Sequence, residues 1–296
     1  MIPNLKIVIL NMDLKDDTLE LIESLQQAGA YPEQIILVDN ASTDGSVEAI
    51  RAQFKNAIQL IQNQENIGFA AGNNQGFEKA YQLGAEWVLL LNNDTIVAPD
   101  FFDQIEKAID TNSKYEILSP AIFYYSEPDI LWHLGSFRIP GTLLARNRYS
   151  NKPLPKNLPD LLPVDFISGC AMLIKSDVYK KVGLFDARFF AYWEEVDFCF
   201  RARKSGFQIC VMINSRIWHK VSKTANRDKS QKRYLNTRNI ILYTRKNANI
   251  LQKIIMFAYL IFRLFITMIG DLIFQQPELI RKSWMGWRDG WRTPNI

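Results

Sequence analysis

Cysteine and histidine are the scarcest reactive groups in this 296-residue chain: Cys170, Cys199 and Cys210, and His133 and His219. The cysteines stand singly inside apolar stretches, without the CxxC spacing of a zinc site or the density of a secreted disulfide scaffold, and read as buried thiols of a reducing compartment. No GxGxxG and no GxxxxGK[ST] occurs, so dinucleotide oxidoreductases and P-loop enzymes lose their usual signature. The opening residues lack the basic, apolar and small-residue zones of a secretory leader, and a cytoplasmic body is expected.

What is present suits a folded protein: 48% hydrophobic and 22% charged residues. The net charge of +4 conceals a split. Residues 1–219 carry 20 basic and 27 acidic side chains, and residues 220–296 carry 15 and 4. A basic segment beside an acidic body suggests docking on an anionic surface. No nucleic acid is expected as a partner.

Over the first 120 residues short apolar runs alternate with amphipathic segments. Strands are expected at 6–10, 34–38, 58–61, 87–91 and 116–118, and helices at 17–28, 46–54, 71–83 and 99–110. This alternation predicts an α/β domain with a mostly parallel sheet and flanking helices. Ligands of such sheets bind beyond the carboxyl ends of the strands, where Asn11, Asp39, Asn40, Asn92, Asn93 and Asp94 fall. The competing reading is that Asn, Asp and Gly end strands because they make turns. From 133 to 163 periodicity fails and five of the 12 prolines gather, which reads as a mobile flap beside the site. An apolar run at 171–174 follows, then helices from Ser176 to Gly183 and near 194–205, a strand at 208–213 ending before His219, and helix from Gln231 onward.

Asp94, two residues past a buried strand, is the first candidate ligand for a divalent cation bridging a diphosphate, since Mg2+ and Mn2+ favour carboxylate and phosphate oxygens. The segment from Asp39 through Asn40, Ser42 and Asp44 to Ser46 joins a strand to a helix start and suits nucleotide recognition. Gly68, Gly72 and Gly76, four apart beside Asn66, Phe69 and Asn73, form a smooth stripe able to pack closely on a sheet or a ligand. Glu194, Glu195 and Asp197 crowd a helix start beside Trp193. Asp197 and Arg201 form an i,i+4 pair, which leaves Glu195 as the carboxylate suited to general-base work. His219, at a strand end, is a candidate second metal ligand.

Taken in order, the strand ending at Asn11, the 38–46 segment, 66–70, Leu91-Asn92-Asn93-Asp94, Ser168-Gly169, 183–186, 194–197 and His219 resemble inverting glycosyltransferase family 2, especially its bacterial rhamnosyltransferase-like members. The resemblance implies a GT-A fold, with Asp39 near the nucleobase and Asp94 as the surviving acid of a DxD-like motif. It places Glu195 at the catalytic base and makes His219 a further metal ligand. Ser168, Gly169 and Trp193 would meet donor or acceptor sugar. The chain departs from the family pattern in Glu at the base position, where Asp is usual, and in Asn92 for the first acid of DxD. The implied partners are a nucleotide-sugar donor, dTDP-rhamnose or a UDP-sugar, and a glycan or polyprenyl-linked acceptor in surface polysaccharide synthesis. Two other functions fit the same residues: a sugar nucleotidyltransferase, which would leave the carboxylate pair idle, and a catalytically weak carbohydrate-binding scaffold partner.

The sequence divides into a catalytic domain at 1–228 and a helical, basic and aromatic region at 229–296. Residues 250–274 are strongly apolar but interrupted by Lys253, Arg263 and Asp271, which argues against a simple membrane span. Trp284, Trp287 and Trp291 alternate with Arg281, Lys282, Arg288 and Arg292, a headgroup-region composition. Peripheral contact with the inner face of the cell membrane is expected. A subdomain packed on the body, or the interface of a homo-oligomer, is the competing reading.

Overall fold

The computed structural model describes residues 2, 4–111, 114–221 and 229–294. Its first part is β1 (Leu5–Asn11), α1 (Lys15–Gln27), β2 (Ile35–Asp39), α2 (Ser46–Phe54), β3 (Gln59–Gln62), α3 (Gly68–Gln82), β4 (Trp87–Asn92), β5 (Thr95–Val97), α4 (Phe101–Thr111) and β6 (Ile117–Tyr124). Short strands β7 (Leu131–His133), β8 (Phe137–Arg138), β9 (Ala145–Arg146) and β10 (Leu161–Pro163) cross the proline-rich stretch. Then come β11 (Ala171–Lys175), α5 (Ser176–Val182), α6 (Glu194–Lys204), β12 (Ile209–His219), α7 (Lys229–Asn247), α8 (Ile250–Ile273) and α9 (Pro277–Arg292).

The main sheet runs β10-β12-β6-β11-β4-β1-β2-β3, with β5 on β12 and β7 on β6. The expected parallel pairing holds from β4 through β1 and β2 to β3, and between β6 and β12. β11 enters antiparallel between β4 and β6, making the sheet mixed. Fully buried Ile, Leu and Val on β1, β2 and β4 face helices on both sides, so these strands read as continuous apolar runs rather than alternating ones. β12 is longer than the apolar run foretold, because Asn214, Ser215 and Arg216 lie at a register shift after Met212 and pairing resumes to His219.

The glycine stripe packs on the sheet. A Cβ at Gly72 would meet the Leu10 side chain at 2.5 Å, and one at Gly76 would strike Val8. Gly68, at φ +90°, instead lies against Phe190.

The boundary drawn after 228 abuts residues 222–228, outside the described residues. In the helical region α9 lies on α7 at close range, where a Cβ on Gly286 would come within 2.6 Å of the Tyr234 carbonyl oxygen and one on Gly290 within 2.8 Å of that of Arg238. Met256 and Leu260 of α8 are buried with Ile240, Ile241 and Tyr243 of α7, and so is Leu143 from the loop between β8 and β9. The proline-rich stretch is therefore clamped at this point to the helical region. Asp271 of α8 is ion-paired to Arg233 at 2.7 Å. The other side of α8 is bare: Leu251, Ile254, Phe262, Phe265 and Ile273 are all more than 60% exposed. By length and composition α8 is apolar enough to cross a membrane, with mean hydropathy 1.9 and only 17% of its most apolar window buried.

Candidate functional site

The parallel register brings three polar strand ends level, pairing Asn11 with Asp39 and Leu10 with Asn92. Asn11 is the hub of this edge. Its amide donates to Asp39 Oδ1 and to Ser42 Oγ, both at 2.8 Å, and its carbonyl accepts from Thr18 Oγ1 at 2.7 Å and Asn93 Nδ2 at 3.1 Å. Asp39 also accepts from the Ser42 amide at 3.0 Å. Asn40 donates to Asn66 Oδ1 and the Gly68 carbonyl, and Asn66 Oδ1 accepts from the Gly68 amide at 2.9 Å. Asp44 accepts from the Lys15 amide at 2.7 Å and from the Ser46 amide and hydroxyl. Burial acts to raise the Asp44 carboxyl, but these donors together outweigh it and hold the group below its ordinary value. Asn11, Asp39, Asn40, Ser42, Asp44, Asn66 and Gly68 thus form one connected polar edge, with Asn93 tying it to α1. Asn73 lies deeper, wholly buried in α3, its amide on the Phe69 carbonyl.

On the other side of β4 the turn at Asn92 presents Asp94 to the end of β12. His219 Nε2 lies 3.2 Å from Asp94 Oδ1, both side chains nearly buried. β5 and β12 fix the pair by matching Thr95 to His219. His219 Nδ1 has no hydrogen-bond partner among the described residues. Burial opposes charge on this imidazole, but the Cys170 sulfur and the Asp94 carboxylate outweigh it and raise the ring to about 10. Among the described residues no group of three or more His, Cys, Asp or Glu converges as a metal cluster. The Trp132 ring stands edge-on to the imidazole at 4.5 Å.

Ser168, Gly169 and Cys170 connect the two halves. The Asn92 amide donates to the Cys170 carbonyl at 2.9 Å, and the Cys170 thiol interacts with His219. A Cβ on Gly169 would lie 3.3 Å from the Phe69 ring and 3.6 Å from Glu195 Cβ. The Ser168 hydroxyl accepts from the Cys170 amide. Glu195 therefore sits one residue's width from the strand end that carries the Asp94–His219 pair.

Glu194 is buried and Glu195 partly so, and one carboxyl oxygen of each has no hydrogen-bond partner among the described residues. Burial, then the neighbouring Glu195 carboxylate, pushes Glu194 well up; burial likewise raises Glu195. Two carboxyls this close share a proton, and the ionised member is a poised base.

Asp197 is placed otherwise. It is wholly buried and accepts from Arg201 Nε at 2.7 Å, Lys246 Nζ at 2.9 Å and Asn247 Nδ2 at 2.9 Å. Trp193 turns its ring toward Tyr243 of α7, centroids 5.5 Å apart, and its indole N–H donates to Asn236.

Sequence reasoning did not single out Cys170, Phe190 or the α7 residues that grip Asp197. Each lies far along the chain from the groups it touches, and a lone Cys or Phe in an apolar run carries no local signal. Only the antiparallel insertion of β11 brings Cys170 to His219.

The profile of glycosyl transferase family 2 matches residues 7–183. A low-salt glycan biosynthesis hexosyltransferase of Haloferax volcanii is 28% identical over 218 residues, 73% of this chain and 67% of that protein. An N-acetylglucosaminyl-diphospho-decaprenol L-rhamnosyltransferase of Mycobacterium tuberculosis is 25% identical over 227 residues, 70% of this chain and 73% of the other. Among solved structures, a mannosyltransferase of Pyrobaculum calidifontis in complex with GDP-Man and Mn2+ superposes with a TM-score of 0.57 at 14% identity, over 100% of this chain and 77% of that one. GalNAc-T7 with UDP, GalNAc and Mn2+ gives 0.61 at 13% identity, over 81% of this chain and 47% of that one. The fold is GT-A. With the family profile spanning more than half its length and the polar strand ends arranged as described, the chain belongs to glycosyl transferase family 2 and is a glycosyltransferase.

Proposed function

We propose that the protein transfers a hexose, with rhamnose the leading candidate, from a nucleoside diphosphate donor to a hydroxyl of a lipid-linked glycan, with inversion at the anomeric carbon. The observation that carries this reading is the strand end at Gly169, where a Cβ would lie 3.3 Å from the Phe69 ring and 3.6 Å from Glu195 Cβ while the next residue, Cys170, meets Asn92 and His219. This neighbourhood supports a base at Glu195 close to the strand end that carries the Asp94–His219 pair.

The polar edge from Asn11 to Gly68 binds the nucleoside, with Asp39 as acceptor for base or ribose hydrogens. Glu195 takes the proton of the acceptor hydroxyl, whose oxygen attacks the anomeric carbon as the diphosphate departs. Glu194 keeps the shared proton and leaves Glu195 ionised. Gly169 and Ser168 border the sugar. Asp197 positions α6 and is not the base, because its oxygens are already engaged by cations and an amide.

Asp94 and His219 would hold a divalent cation, Mg2+ or Mn2+. His219 Nε2 and Asp94 Oδ1, 3.2 Å apart, form a fitting donor set, since such ions need one or two protein ligands when substrate phosphate supplies the rest. The bound ion would neutralise charge on the leaving diphosphate. Its binding must displace the proton that Asp94 and Cys170 favour on His219.

The bare face of α8 and the Trp–Arg face of α9 support a seat on an anionic inner leaflet. α8 lies in the interface rather than across it, because Asp271 is pinned to α7 while the opposite face is apolar. The rhamnosyltransferase among its relatives is named for a diphospho-decaprenol acceptor, which agrees with a lipid-borne substrate here.

A thermal-shift panel of dTDP-rhamnose, UDP-hexoses and GDP-mannose, with and without Mn2+, tests this function. Stabilisation by one donor that needs Mn2+ and is lost in Asp94→Ala is expected. No shift with any donor, in folded protein, would contradict it.

A further inference from the structure

The segment that delivers the carboxyl pair to α6 is held in an unfavourable backbone. Phe190 (φ 65°, ψ −65°, the centre of a γ-turn closed by the Ala191 amide on the Phe189 carbonyl), Tyr192 (φ 68°) and Trp193 (φ 79°, left-handed) all have positive φ just before Glu194. Side chains with a Cβ rarely adopt positive φ, and such residues persist only where their surroundings over-determine them. The surroundings here come from α7. The Asn239 Nδ2, with no exposed surface, lies within hydrogen-bond distance of the carbonyls of Phe189 at 2.8 Å, Ala191 at 2.8 Å and Tyr192 at 2.7 Å, its two hydrogens shared among the three acceptors. Arg238 donates from Nη2 to the carbonyls of Arg188 and Phe189, and from Nε to Asn239 Oδ1 at 2.8 Å, which fixes which way the amide faces. From the opposite side the Ala70 amide of α3 donates to the Phe190 carbonyl at 3.0 Å.

We infer that Asn239 is a positioning residue for catalysis, its buried amide holding the positive-φ turn that sets where Glu194 and Glu195 enter α6. This rests on the reading of Glu195 as base. The turn is too polar to be kept by packing alone, since its carbonyls point inward and need donors. The apolar contacts between α7 and the body, Phe189 against Ile240 and Tyr243, can hold the helix in place but cannot choose the turn's backbone angles. The helical region therefore supports the active site from a distance, with Asn239 and the Arg238 that orients it as its contacts to the turn carbonyls. A misplacement of about 1 Å at a reacting group costs on the order of 100-fold in rate.

The test uses the full-length chain and two readouts. One is release of nucleoside diphosphate from dTDP-rhamnose and UDP-hexoses with Mn2+. The other needs no substrate: the titration midpoint of the Glu194–Glu195 carboxyls by 13C NMR on glutamate-labelled protein, assigned with Glu194→Gln and Glu195→Gln. Charged and titratable neighbours of the pair are Tyr192, Cys199 and, farther along α6, Asp197 with its Arg201 and Lys246 partners. In Asn239→Ala, UDP and dTDP should bind within twofold of wild type while turnover falls about 100-fold. The carboxyl midpoint should drop toward the ordinary value as water reaches a loosened turn. Arg238→Ala should repeat the pattern at about tenfold, and it carries the test alone should Asn239→Ala not fold. The packing control Ile240→Val should change neither readout. An unmoved midpoint in both variants, or turnover within threefold of the control, overturns the inference. Normal turnover in Glu195→Gln would instead remove the base assignment itself.

Discussion

Replacing Phe262 and Phe265 of α8 with serine should abolish membrane binding and leave the fold intact. Both rings are largely solvent-exposed, at 64% and 62%, and are absent from the buried clusters, so their loss removes little packing. In a bilayer interface the same area is withdrawn from water. Full burial of a Phe side chain is worth about 1.5–3 kcal/mol, so each ring at this exposure contributes about 1–2 kcal/mol and the pair about 2–4 kcal/mol. At about 1.4 kcal/mol per factor of ten, partitioning should weaken from about 30-fold to several hundred-fold. Flotation with vesicles of phosphatidylcholine and phosphatidylglycerol measures the partitioning, and circular dichroism melts the protein alongside. An unchanged melting temperature with lost flotation is expected. Undiminished flotation would refute the assignment of this face, and a fall in the melting temperature together with loss of a dimer on gel filtration would make it a subunit interface.

Two further predictions separate the acidic residues of α6. The raised Glu194 binds a proton in the folded protein that it lacks when unfolded, so its contribution to stability is present below the ordinary carboxylate value and is lost as pH rises through the folded one. Glu194→Gln should therefore flatten the fall in stability above that range and raise the melting temperature at alkaline pH relative to wild type, read by melts across a pH series. Asp197→Asn removes the buried partner of Lys246 and Arg201. Breaking a buried pair costs about 3–5 kcal/mol, and because both cations are partly exposed the loss should fall near about 2–3 kcal/mol, measurable by urea unfolding, with nucleotide binding retained in the folded fraction.

The half of the sheet with buried parallel strands is legible because each strand is a continuous apolar run closed by a polar residue, which puts Asn11, Asp39 and Asn92 at one edge. The helix positions followed from 3.6-residue periodicity, to within a few residues at the ends. Less of the antiparallel portion was readable. β5 has only three residues, β11 announces neither its direction nor its neighbours, and β12 continues past a polar interruption at Asn214 that reads as a strand end. The proline-rich stretch looked structureless because its strands are two or three residues long, and the burial of Leu143 depends on α7 and α8, a hundred residues away. The Asp197–Arg201 pair was visible as an i,i+4 spacing; its second cation, Lys246, was not. The positive-φ turn before Glu194 escaped for a related reason: Phe, Tyr and Trp carry no turn signal, and what holds them there is an asparagine in the middle of a distant helix.

Turnover of Glu195→Gln against wild type, with the donor that stabilises the protein, tests the central claim most directly. The variant is close to isosteric and keeps the residue's shape, so the melting temperature and the Mn2+-dependent donor binding should persist while transfer falls by 10²-fold or more, the scale of a lost general base. Near-normal transfer by a folded Glu195→Gln protein would contradict the account.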